Sequence, residues 1–175
     1  MSRGLVGFAL GATLIVVSAI SADAASDKIE RGKYLVEFGG CNDCHTPGYF
    51  LGKPDMNRYL SGSDVAFEIP GLGVFVPRNL TPDKKTGIGN WTEDQIVTAL
   101  QTGKRPDGRI LAPIMPWQAF AKLTKDDAHA IAAYLKTLKP VDNAVLGPFG
   151  PGEKVPTLMF RILPPGQTAA EAPKK

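Results

Sequence analysis

Residues 41 to 45 read Cys-Asn-Asp-Cys-His, and no other stretch constrains the fold as tightly. In a helical turn Cys41 and Cys44, three apart, share one face. The pattern C-x-x-C-H is the attachment signature of a c-type haem. Each thiol can form a thioether with one vinyl group, and the imidazole of His45 then sits beside the iron as proximal ligand. Most of the remaining chain reads as a cage for one macrocycle. Three other readings compete. A redox dithiol calls for a βαβ setting, and no such pattern is visible. A structural zinc site calls for four N or S ligands; the chain holds two Cys and two His in all, and His129 is remote from the motif. A plain disulfide would close only a tiny loop.

The N-terminus has the pattern of an export leader. Arg3 supplies a positive start, Leu5 to Ile20 is apolar, and Ala22-Asp23-Ala24 matches a small-x-small cleavage site. The alternative is an uncleaved anchor, but the run is about 16 residues where about 20 are needed to span a bilayer. Cleavage after Ala24 would leave residues 25–175, one domain's worth of chain. The leader carries Arg3 and Asp23, so the net charge stays at +3. That excess does not argue for nucleic acid, whose binders concentrate charge on one stripe. Lys84-Lys85, Lys104-Arg105 and Arg109 form small basic clusters, read as solvated surface ahead of a docking patch.

Three helices are expected. The first runs from about Asp27, with Glu30 three residues on as a capping-box partner, to Phe38; Gly39-Gly40 ends it. The second starts at Thr92, with Gln95 completing a T-x-x-Q box, and stops at Gly103. The third is capped by Thr124, repeats Ala128, Ile131, Ala132, Leu135 and Leu138 at helical spacing, and cannot pass Pro140. Thr46 to Asn90 is long, irregular and rich in Gly and Pro. A central haem would give so long a loop something to pack against. A hairpin near Phe67 to Val76 is left open. The expected division is a leader over 1–24, a haem domain over 25–140, and a Pro-rich extension over 141–175. Within the extension Leu158, Met159, Phe160, Ile162 and Leu163 are candidates to dock, and residues after Pro165 are expected to be disordered. There are no internal repeats, and a single C-x-x-C-H means one haem.

Candidates for a sixth iron ligand are few. Met1 leaves with the leader, Met56 follows His45 too closely, and Met159 comes late in the Pro-rich tail. Met115 stands in Ala112-Pro113-Ile114-Met115-Pro116-Trp117, where flanking prolines restrict the backbone. A neutral, soft thioether favours ferrous iron and raises the potential. His129 is the rival and would give bis-His ligation. Trp91, Trp117, Arg78 and Tyr59 are candidates to contact the haem propionates.

With these residues in place the chain resembles a class I cytochrome c over about residues 26–140. Arg31-Gly32-Lys33-Tyr34-Leu35, Asn79-Leu80-Thr81-Pro82-Asp83, Thr86-Gly87-Ile88-Gly89-Asn90-Trp91, Gly103-Lys104-Arg105-Pro106-Asp107-Gly108-Arg109 and Met115-Pro116-Trp117 are similar to the cytochrome c subunits of bacterial membrane-bound alcohol, gluconate and aldehyde dehydrogenases. The resemblance implies an all-α class I cytochrome c fold, with three to five helices around one haem c and long Gly/Pro-rich loops. It maps the distal ligand to Met115 and places Gly32 and Tyr134 where the first and last helices cross. Those subunits usually carry three haem domains; one is expected here. The expected function is electron transfer, not catalysis. A periplasmic monohaem carrier would link a donor dehydrogenase to a terminal acceptor, as a monomer or in transient complexes, meeting the membrane only if the leader stays. The alternatives are an open five-coordinate haem that binds a gas or peroxide, and a fixed subunit of a dehydrogenase.

Overall fold

A computed structural model describes residues 13–163, 165, 166 and 168. The expected leader lies outside the described residues over 1–12, and only the backbone helix is described over 13–22. The expectation for the chain end after Pro165 likewise falls almost wholly outside them.

The described residues form five α-helices and a small sheet: α1 (Thr13–Phe38), α2 (Cys41–His45), α3 (Glu93–Thr102), α4 (Trp117–Phe120) and α5 (Lys125–Thr137), with β1 (Val65–Ile69), β2 (Gly73–Phe75) and β3 (Leu158–Arg161). Single 3-10 turns occupy Tyr49–Leu51 and Met56–Arg58. Among the described residues no helix is long and apolar enough to cross a membrane.

The caps of the later helices follow their local sequence. Thr92 and Gln95 form the reciprocal capping box of α3, and Gly103 closes it at φ 73°. The Thr124 side chain accepts from the Asp127 amide to start α5. The first helix differs from expectation. Asp27 and Glu30 lie inside α1, because no Gly or Pro interrupts the chain between Thr13 and Gly32 and the Ala-rich stretch continues the helix upstream.

Helices α1 and α5 cross at Gly32. A Cβ there would lie 2.0 Å from the Ala130 carbonyl oxygen and 2.8 Å from Tyr134 Cβ. The missing side chain therefore permits the approach. Around the crossing lies the main core of Val36, Leu60, Ile88, Ile96, Leu100, Ile131, Ala132 and Leu135. Phe38 is not part of it; its ring is exposed and stacks on Tyr34, with centroids 5.8 Å apart.

The all-α expectation needs correction: the protein is mostly helical, with a three-stranded sheet of order β2-β1-β3. The hairpin left open near Phe67 exists, pairing Phe67 with Phe75 and Ile69 with Gly73. The third strand comes from the C-terminal extension and runs parallel to β1, Val65 opposite Leu158 and Phe67 opposite Phe160. Ala66, Val74 and Val76 form a second small core with Val145, Phe149, Val155 and Met159 packed on it. Local pattern could not show this sheet, since Glu68 and its partner Arg161 are 93 positions apart.

Candidate functional site

Helix α1 stops because Gly39 and Gly40 turn the chain: the Gly39 amide donates to Leu35 O and Gly40 takes φ 64°. That left-handed residue is the N-cap of α2, the single turn that carries Cys41, Cys44 and His45. Both cysteines are free thiols, partly buried. Burial pushes the Cys41 thiol up to about 11 and raises Cys44 as well, so both carry protons at neutral pH.

His45 is buried, and its Nδ1 lies 2.6 Å from the carbonyl oxygen of Arg78. A carbonyl only accepts, so Nδ1 carries the proton and the Nε2 lone pair is left open. Burial lowers the pKa of the ring, which keeps it neutral; the bond to Arg78 opposes this without dominating. The turn is braced from behind. The Gly62 amide donates to His45 O at 2.8 Å, and buried Thr46 accepts from the Leu60 amide at 3.1 Å.

Met115 is half-buried and packs on the main core, as do Cys41, Tyr59 and Trp91. Its amide donates to Ala112 O, and its carbonyl accepts from Trp117 N, so the Pro-flanked segment is a fixed turn. The other sulfur candidates lie elsewhere: Met56 is exposed in its 3-10 turn, and Met159 packs on the second core. The rival ligand His129 faces acidic side chains, 3.9 Å from Glu93 and 3.7 Å from Asp94, at the start of α3.

The four residues expected near propionates are found in different settings. Arg78 is half-buried and donates its two terminal nitrogens to Val145 O and Gly147 O. Trp91 lies under the Arg105 guanidinium, 5.6 Å from ring centroid to carbon. Trp117 packs on the end of α3, where a Cβ at Gly103 would meet its ring at 2.8 Å. The buried Tyr59 hydroxyl faces Tyr134 without reaching hydrogen-bond geometry.

Arg105 and Arg109 were read from sequence as surface charge, and that reading missed their place beside Arg78. Burial and the mutual repulsion of these guanidiniums lower the pKa of Arg78 and Arg105. Arg105 pairs with Asp107 at 3.3 Å, yet its Nε is buried without an acceptor. A buried donor left open amid three cations fits an anionic group such as a carboxylate. The donor set fits a haem on the same grounds: two neighbouring thiols, one imidazole with a free Nε2, and a thioether on the same core.

Comparison with known proteins bears on the same residues. The cytochrome c family model matches residues 29–139. The chain is 39% identical over 122 residues to the fructose dehydrogenase cytochrome subunit of Gluconobacter japonicus, covering 69% of this chain and 24% of that protein. It is 35% identical over 139 residues to the cytochrome c subunit of the quinone alcohol dehydrogenase of Gluconobacter oxydans, covering 79% of this chain and 26% of the other. For the gluconate 2-dehydrogenase cytochrome c subunit of Pantoea cypripedii the values are 32% over 146 residues, 82% and 31%. The chain thus spans about a quarter to a third of the length of these relatives. The match takes in the second part of α1, the Cys41–His45 turn, the Met115 turn and α5, and the chain belongs to the cytochrome c family, whose cofactor is a covalently attached haem c.

Proposed function

We propose that this protein is a monohaem c-type cytochrome that carries single electrons from a dehydrogenase to an acceptor in the bacterial periplasm. Cys41 and Cys44 would tether the haem, and His45 and Met115 would ligate its iron. The observation that carries this reading is the fixed tautomer of His45. Its Nδ1–H is committed to Arg78 O, and its Nε2 lone pair stands at the end of the turn that holds both thiols.

A bound haem supplies a one-electron ferric/ferrous couple. The chain's own groups do the rest. The Arg78 carbonyl orients the imidazole and raises its basicity. The proline-flanked Met115 turn holds a thioether at constant position. The core around Leu60, Ile88 and Ile131 keeps water away and limits rearrangement between redox states. Arg105, with an open Nε, and Arg78 offer charge to a propionate. In this reading the chain carries electrons, and the substrate chemistry belongs to the partner. The relatives named above are subunits of fructose, alcohol and gluconate dehydrogenases, which supports a dehydrogenase as donor. It also favours a second reading, permanent association with one, which co-purification of a larger oxidoreductase would reveal. The leader pattern over 1–24 supports export.

The test is a redox-titrated visible and near-infrared spectrum of protein from a host that attaches haem. Wild type should show a low-spin c-type spectrum with the methionine-dependent near-infrared band. Met115→Ala should abolish that band and lower the potential by at least the ~59 mV that marks a tenfold change for one electron. An unchanged spectrum in the variant, or high-spin iron in wild type, would favour an open five-coordinate site.

A further inference from the structure

Arg78 lies in no helix or strand, yet it touches both the site and the C-terminal extension. Its carbonyl accepts from His45 Nδ1 at 2.6 Å, while its guanidinium donates to Val145 O and Gly147 O. The residues on either side are held too. Pro77 O accepts from the Ser63 amide at 3.0 Å, and Asn79 Nδ2 donates to Val141 O at 2.8 Å. The extension then continues through a bridge between Phe149 and Val74 and on into β3. The peptide that orients the imidazole is therefore positioned by backbone bonds to Ser63 and Leu60 and, through the Arg78 and Asn79 side chains, by a segment more than 60 positions further along the chain.

We propose that Arg78 is a positioning residue that couples the seating of the extension at Val145 and Gly147 to the hydrogen bond on His45, and so sets the reduction potential. This rests on His45 being the proximal ligand. The physical link is short. A half-buried guanidinium needs acceptors, and the two carbonyls of the extension supply them. While they hold, they add a second anchor to the Arg78 peptide beside the backbone bonds of Pro77 and Leu80. A firm bond from Nδ1–H to a carbonyl makes the imidazole a more basic ligand, which favours the oxidised iron. Unseating the extension loosens that bond and should raise the potential.

Two full-length variants test the coupling. Arg78→Lys keeps the backbone carbonyl and the charge but loses the two-pronged grip on the carbonyls. Phe149→Ala leaves Arg78 intact and weakens the extension where it packs on the second core. For each, the midpoint potential and the exchange rate of the His45 ring N–H in the reduced, diamagnetic protein are measured by spectroelectrochemistry and NMR. Both variants should raise the potential, toward the ~59 mV of a tenfold change. Both should speed ring N–H exchange about tenfold, the factor expected from losing roughly one net hydrogen bond. A thioether-bound haem with potential and exchange unmoved in both variants overturns the coupling alone. A wild-type protein without covalent haem, or one whose His45 ring signals show no hyperfine shift on oxidation, overturns the underlying reading as well.

Discussion

Asn79 shows how single residues hold the site from behind. Its side chain is 2% exposed and fully used: Oδ1 accepts from the amide and hydroxyl of Thr81, and Nδ2 donates to Thr86 Oγ1 and Val141 O. Replacing it with Ala leaves the buried Thr81 amide and Val141 carbonyl without these partners. Asn79→Ala should destabilise the haem-loaded protein by about 3 kcal/mol, read from urea denaturation; a loss under about 1 kcal/mol would show that water substitutes. Leu60 is a second brace. It is fully buried at φ 57°, a region that side chains rarely take, with its amide bonded to Thr46 Oγ1 and its carbonyl to the Leu80 amide. Neither role was legible in the sequence, because each depends on partners brought in by folding. The Cys41, Cys44 and His45 pattern was legible, because three functional groups on one turn require only local geometry.

Helices α3 and α5 form where their caps predict, since a capping threonine and its amide partner lie within three residues of each other. The start of α1 and the strand β3 were not readable in this way. The former has no breaker to mark it, and the latter exists only because β1 is there to pair with. Gly32 shows packing overriding propensity. On an exposed helix Gly→Ala stabilises by up to ~1 kcal/mol. Here the added methyl would collide with the Ala130 carbonyl, a backbone atom that cannot swing aside. Gly32→Ala should therefore destabilise by about 2–3 kcal/mol in chemical denaturation of the holoprotein, the range for overpacking. A gain in stability would mean that the crossing is looser than described.

Across the whole molecule, acidic side chains take part in bonds that brace the fold, one between α1 and α5 and others within loops, so stability depends on their charge. The Arg31 side chain beside Asp127, between α1 and α5, holds that carboxyl below its ordinary value. The amide and hydroxyl of Thr86 do the same for Asp83, and Arg58 and Arg109 do so for Asp55 and Asp107. A carboxyl with a lowered folded-state pKa contributes stability above its unfolded value, near 3.9, and loses it as pH falls through the folded value. Tm should thus be insensitive to these groups between about pH 5 and 7 and should fall below about pH 4. Calorimetry across that range checks it, and a Tm held constant down to pH 3 would contradict it.

Wherever the relevant atoms are near neighbours in the chain, residue order was enough. The Cys41–His45 turn, the caps of α3 and α5 and the Met115 turn all belong to this class, because backbone geometry places side chains three or four apart without help from elsewhere. Packing decided the rest. The parallel strand from the extension, the guanidinium cluster of Arg78, Arg105 and Arg109, and the carbonyl that selects the His45 tautomer each join residues dozens of positions apart. Which distant groups meet depends on the free energy of the whole burial, and no local window contains that sum.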